Sequence, residues 1–334
     1  MMMSLRPFLT PKRLVLFAAF SLLLGGSPSL QAADIPLKKE DPIPVSGTHG
    51  RFDFLAIDSK TGRLVTPHAG NGTLDLFDAV SGKLLQVIPT GKAQGVAVDP
   101  EAGKYYVSVS KEKKLVIVDS SSFTILGEIS LPGEADVLAF DSRNHTAYIG
   151  HDDATEVWAV DVKALKIVAS IPIPEGPEAI VYDAAHDRVY ANSKSGNVVV
   201  VIDPTSNQAV ASWATAPAQA PHGSAIDSKG NRLFVAGGNG KLVAIDLGSG
   251  KVVADADIAP KVDQIAYDPG LNRVYCASGT GVLSVVDAAQ GLRSLGDIPT
   301  QPGAHSVAVD PKSHGVLIAY AADNNSPAFI ECLK

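Results

Sequence analysis

The chain has 334 residues, and its 28 Lys and Arg are outnumbered by 35 Asp and Glu, for a formal net charge of −7. Phosphate binding needs clustered cations, and the densest run is Lys111-Glu-Lys-Lys114, so composition disfavours nucleic acid and anionic lipid as partners. Two cysteines and no Cys-x-x-Cys-His exclude a covalent c-type haem.

The N-terminus carries Arg6, Lys12 and Arg13, then an apolar stretch from Leu14 to Leu24, then Gly-Gly-Ser-Pro-Ser-Leu-Gln-Ala. That stretch is shorter than the roughly 20 residues of a membrane span, and the pattern is that of a cleavable secretory signal. We expect a signal peptide over residues 1–32, no membrane span, and a mature chain of residues 33–334 in the periplasm or outside the cell. Losing three basic residues and no acidic one takes the net charge from −7 to −10.

Leu37 to Val45 reads as a strand with no blade of its own. From there an aspartate after a short apolar run returns at Asp58, Asp99, Asp141, Asp183, Asp227, Asp268 and Asp310, at spacings of 41 to 44 residues. A period near 40 to 45 with several short apolar runs per unit is that of a four-stranded propeller blade, which cannot bury both faces without neighbours. Within one unit, Gln264 to Asp268, Arg273 to Ala277, Val282 to Asp287 and a run ending near Pro299 read as strands one to four, since runs of four to six residues between turn clusters are too short for helices. A second aspartate closes strand three at Asp78, Asp119, Asp161, Asp203, Asp246 and Asp287, and Glu331 is read as its counterpart in the seventh unit. The expected fold is all-β: one seven-bladed β-propeller domain of four-stranded antiparallel blades. The chain stops before blade seven gains a fourth strand, so the N-terminal strand is expected to complete that blade and close the ring, removing an open edge. Pairs across one hairpin are expected for Asp183/Arg188, Asp227/Arg232 and Asp268/Arg273. Cys276 and Cys332 fall on different strand ranks of adjacent blades and are read as buried small hydrophobes.

Chemistry is expected where the chain enters each innermost strand. Five residues before the marker aspartates stand Asp53, Gln94, Asp136, Glu178, His222, Asp263 and His305, all polar or ionisable. A polar ring at a channel mouth has an ordinary explanation, since loop ends are usually solvated. Imidazole and carboxylate on consecutive blades add a sharper one: His222, Asp263 and His305 as divalent-metal ligands, with Glu178 or Asp53 as general base. His49 on an entering loop, and His68 and His151 on loops joining strands two and three, are placed on the same ligand-binding face; Phe52 and Tyr320 are its main aromatics. Gly-x-Ser-x-Gly, His-Glu-x-x-His and Walker motifs are absent.

Val189-Tyr-Ala-Asn192 with Val198-Val-Val-Val-Ile-Asp203, Tyr106-Val-Ser108 with Leu115-Val-Ile-Val-Asp119, and Pro221-His-Gly-Ser-Ala-Ile-Asp227 resemble the YVTN β-propeller family of bacterial exported proteins, over residues 34 to 334. The resemblance implies a scaffold that binds at the cell surface or in the periplasm, and related propellers include lactonases, a metal-dependent lyase and a haem d1 domain. The leading reading is a monomeric, non-enzymatic binding or interaction propeller whose channel mouth receives a small molecule, a peptide or a cell-envelope protein. The alternative is a metal-dependent hydrolase or lyase, lactonase-like, and a third is an accessory to a redox cofactor with a histidine as axial ligand.

Overall fold

Short runs rich in Val, Ile and Tyr, each followed by an Asp, Gly or Asn turn, become strands because such side chains fit a pleated, half-buried surface and the turn residues stop it. The computed structural model describes Met2, Ile35 and residues 37–151, 154–174 and 176–334; apart from Met2, the expected signal peptide lies outside the described residues. Ala32–Lys334 is one compact unit. Among the described residues there are seven four-stranded antiparallel sheets and no helix.

The innermost strands are Ala56–Asp58, Ala93–Asp99, Leu138–Asp141, Pro177–Asp183, Pro221–Asp227, Val262–Asp268 and Ser306–Val309. Each lies against its neighbours around the axis, and Ala56–Asp58 meets Ser306–Val309 to complete the circle. The last sheet runs Ile43–His49, Pro327–Leu333, Val316–Ala321, Ser306–Val309, so the N-terminal strand completes blade seven as expected, shifted a few residues C-terminally. Upstream of it Lys39 bridges Leu333, and the amides of Lys38 and Lys334 donate to each other's carbonyls. Ile43 and Val45 pack into the core shared with blade one, and Ile35 and Leu37 into that shared with blade six.

One expected equivalence is corrected. Val316 pairs with Leu333 as Leu64 pairs with Phe77, which puts Lys334, not Glu331, where other blades carry the strand-three aspartate. Glu331 instead matches Asp75, and both carboxylates have no exposed surface. Asp75 Oδ2 is 2.7 Å from His68 Nδ1, Asp75 Oδ1 accepts from the Thr73 hydroxyl at 2.6 Å, and His68 Nε2 is 3.0 Å from the Gly50 carbonyl oxygen. Each ring nitrogen of the enclosed imidazole therefore has an oxygen partner. Glu331 Oε1 has Lys39 Nζ of the closing segment 2.7 Å away, an ion pair rather than an aligned hydrogen bond.

The marker aspartates fold the opposite face. Burial alone would raise Asp58, but the Thr61 side chain, the Tyr105 hydroxyl and the amides of Thr61 and Lys60 outweigh it and hold its carboxyl below the ordinary range. Asp78, Asp119, Asp161, Asp246 and Asp287 are held low by hydrogen bonds from the turn that follows, led by Ser81, Ser122, Ala164, Ser249 and Ala289 in turn. Of the three expected Asp/Arg pairs, only Asp227–Arg232 forms an ion pair among the described residues, at 2.6 Å. Asp183 and Asp268 instead meet His186 and His314 at 2.7 and 2.8 Å, because those imidazoles come from turns beside the carboxylates. A group whose folded pKa is depressed stabilises the fold above its unfolded value, about 3.9, and loses that contribution as pH falls through the folded value. Taking the protein from pH 6 to pH 3 should therefore lower the urea midpoint, most steeply below about pH 4; a constant midpoint would mean that these turns do not depend on ionised carboxylates.

Cys276 and Cys332 are both free and buried. Burial pushes both thiols up, Cys276 the further.

Candidate binding site at the channel mouth

In four blades the innermost strand breaks register where the ring residue sits. Pairing skips between Ala93 and Val96, Pro177 and Ile180, Pro221 and Ser224, and Val262 and Ile265. Gln94, Glu178, His222 and Asp263 fall inside these bulges, and a bulge re-aims the side chains it carries. Close approach of successive blades needs glycine just after the ring residue: a Cβ on Gly95 would stand 2.5 Å from the Asp136 carbonyl oxygen, and one on Gly223 would stand 2.8 Å from that of Asp263. Asp53, Asp136 and His305 precede the first strands of their blades.

The seven residues do not behave alike. Asp53, Gln94 and Glu178 are buried, while Asp136, His222, Asp263 and His305 are partly exposed. Gln94 Nε2 donates to Asp136 Oδ1 at 3.4 Å, and Arg51 reaches Asp53 Oδ2 at 3.4 Å. Lys194 Nζ donates to Glu178 Oε1 at 2.9 Å. His222 Nε2 stands 3.5 Å from Glu178 Oε1, and His305 Nε2 stands 3.7 Å from Asp263 Oδ2. His222 is fixed from behind, its Nδ1 against the Ala220 carbonyl oxygen at 3.1 Å and its own carbonyl accepting from Asn192 Nδ2 at 2.8 Å.

Glu178, His222 and Asp263 present ligand atoms within 4.8 Å of one another. The expected metal set was His222, Asp263 and His305; the structure brings Glu178 into the group and leaves His305 one step out, beside Asp263. Burial lifts Glu178 above the ordinary carboxylate range, and Asp263 adds to that while His222 and Lys194 oppose it. Asp53 is lifted well above its ordinary value by burial first, then by the charges of Asp136 and Asp263, with Arg51 opposing. While ionised, these two acids work against folding, in the opposite sense to the turn aspartates.

Outside this group lies a recess of about 370 Å³ lined by Arg51, His222, Lys261, Val262, Asp263 and His305. Below the ring the axis holds a cavity of about 160 Å³ whose wall is mainly apolar, with Leu55, Val96, Leu138, Ile180 and Ile265 among its residues. Gln264 ties blades across it: its Oε1 accepts from the amides of Leu55 and Val307 at 3.0 and 3.2 Å, and its Nε2 donates to the Leu55 carbonyl at 2.8 Å.

The three further histidines read as part of the face differ in setting, and only His151 lies on its expected loop, between Thr146–Ile149 and Glu156–Asp161. His68 is enclosed, stacked on Phe52 with ring centroids 4.0 Å apart; strand alternation turns it inward. His49 ends the outer strand of blade seven rather than lying on an entering loop, and is exposed. His151 is partly exposed and packs 5.4 Å from the Trp158 ring. Phe52 and Tyr320 are buried as well, at 1% and 5% exposure, so neither offers a partner an open aromatic face.

A family model described as outer membrane protein assembly factor BamB matches residues 53–326. The chain belongs to that family. Solved structures similar to this BamB-family chain include hydrazine synthase of Kuenenia stuttgartiensis, 16% identical with a TM-score of 0.72 over 85% of this chain and 96% of that one. A structure titled mitotic checkpoint complex is 16% identical, with a TM-score of 0.74 over 95% and 98%, and the RRP9 WD40 repeats are 12% identical, with a TM-score of 0.73 over 89% and 100%. At such identities the likeness is one of fold alone. No curated protein matches the sequence.

Sequence reasoning missed the cations of this BamB-family mouth. Arg51 and Lys261 each stand two residues before a ring carboxylate, Asp53 and Asp263, and that recurring spacing was the available signal. Lys194 carried none, since only the fold brings its strand-two-to-three loop over Glu178.

Proposed function

We propose that this protein is an exported binding propeller of the cell envelope, made as a precursor cut after Ala32. In this reading the mature chain, residues 33–334, is a periplasmic monomer with repeats of the YVTN kind, and its channel mouth receives a small ligand, a peptide or an envelope protein. The observation that carries the reading is the recess beside His222, Asp263 and His305, a concave site rimmed by Arg51 and Lys261 over an apolar axis. Concave sites with a few convergent polar groups on a rigid scaffold are where ligands bind. The BamB family description, outer membrane protein assembly factor, supports an envelope-protein partner over a soluble metabolite. Apolar residues 14–24 behind a basic start support export.

The test is a thermal-shift screen of periplasmic protein, N-terminally sequenced to begin at Ala33, against envelope-protein peptides and small organic anions. Arg51→Glu with Lys261→Glu should weaken any stabilising ligand about 10- to 100-fold, the scale of one or two charge-assisted hydrogen bonds. Ligands held equally by the double variant would move the site elsewhere, and a cytoplasmic, uncut product would remove the export.

A second reading is a metal-dependent hydrolase or lyase with Asp53 as base. It draws on the grouping of Glu178, His222 and Asp263.

A further inference from the structure

The His222 ring has its proton placed for it. Nδ1 faces the Ala220 carbonyl oxygen at 3.1 Å, an acceptor only, so Nδ1 is the donor and Nε2 is the nitrogen left to offer a lone pair to an ion. Nε2 stands 3.5 Å from Glu178 Oε1, and the ligand atoms of His222, Glu178 and Asp263 lie within 4.8 Å of one another. A separation of 3.5 Å is too long for an N–H···O bond, normally about 2.7–3.2 Å. It is close to the edge of a tetrahedron of ligands about 2.1 Å from a central ion, which is about 3.4 Å. An imidazole held through its other nitrogen by a backbone carbonyl is also how metal-ligating histidines are oriented. Glu178 is 5% exposed, and three electron-pair donors converge, with the Lys194 ammonium against one of them.

We propose that the mouth holds one divalent metal ion of the zinc class on Glu178, His222 and Asp263, leaving a coordination position open to the recess. Two carboxylate oxygens and one imidazole nitrogen suit a borderline divalent ion, and three protein ligands with one open position are the arrangement that lets a metal take an exogenous ligand. His305, with Nε2 3.7 Å from Asp263 Oδ2, is a positioning residue for that carboxylate. Lys194 competes with the ion for Glu178. The proposal deepens the binding reading above and rests on the mouth being the functional face.

Zinc chloride titrated calorimetrically into tag-free, chelator-stripped exported protein is the test. One site per chain is expected. Glu178→Gln, His222→Gln and Asp263→Asn should each weaken it more than about 100-fold, because outer partners alone are worth about 10- to 100-fold. His305→Gln should cost about tenfold, and Lys194→Met should tighten binding several-fold while leaving the same stoichiometry. Melting curves in chelator report whether each variant folds, and Lys194→Met, a predicted gain, cannot be mimicked by misfolding. No zinc uptake by the parent protein overturns the proposal, and so does a His305→Gln loss as large as that of Glu178→Gln. Repeating the ligand screen in chelator separates the two readings: ligands that still bind without zinc uptake leave the binding reading standing and the metal site refuted.

Discussion

Deleting residues 33–46 is expected to lower the melting temperature of the protein by on the order of 10 °C or more. The deletion removes Ile35, Leu37, Ile43 and Val45 from two inter-blade cores. At about 1.5–3 kcal/mol for a fully buried aliphatic side chain, and less for those that are half-buried, the loss is about 5 kcal/mol. It also takes Lys39 from the enclosed carboxylate of Glu331, 2.7 Å away, and strips the pairing from Ala328 onward in the strand Pro327–Leu333, leaving an open edge. A buried charge stripped of its partner is costly beyond the lost packing, and an open edge invites association. Scanning calorimetry should show the lower transition, and light scattering should show concentration-dependent aggregation. Lys39→Ala isolates the electrostatic part and should fall between parent and deletion. A deletion variant melting with the parent would mean that the ring is closed by something other than this segment.

His68→Ala should destabilise the fold by about 3–5 kcal/mol, although the residue was read from sequence as part of a binding face. Its ring and Asp75 both lack exposed surface. Removing the imidazole leaves the carboxylate with the Thr73 hydroxyl as its remaining side-chain donor, and also unfastens Gly50, where the chain crosses from the closing strand into blade one. His68→Leu with Asp75→Leu should recover part of the loss, since replacing both members of a buried pair by apolar groups costs less than breaking it. Urea denaturation of His68→Leu, Asp75→Leu and the double variant gives the coupling directly. Additive losses would show that the two side chains do not act as a pair.

These cases mark where sequence reading was strong and where it failed. Seven aspartates at a steady interval, with alternating apolar runs between them, specify blade number, strand order and the shared face of the entry loops, because a repeat that cannot bury its own surface must stack on copies of itself. The closing strand was legible for the same reason: a blade short of one strand and a strand short of a blade implied each other. His68 was misplaced because loop rank says which end of a blade a residue occupies, whereas the alternation of the strand says which way it points.

At the site the division is similar. The sequence determined that seven polar residues stand at equivalent entrances around one axis, since equivalent positions in stacked repeats meet by symmetry. Only the tertiary structure decided which of them meet: bulges at Gln94, Glu178, His222 and Asp263 re-aim side chains in a way no period records, and Lys194, Arg51 and Lys261 arrive from loops whose paths depend on blade packing. Convergence to a few ångströms is set by backbone detail and close approach at glycines such as Gly95 and Gly223. The repeat therefore fixed the ring by itself, while the grouping of Glu178 with His222 and Asp263 rather than His305 came from the geometry of the folded chain.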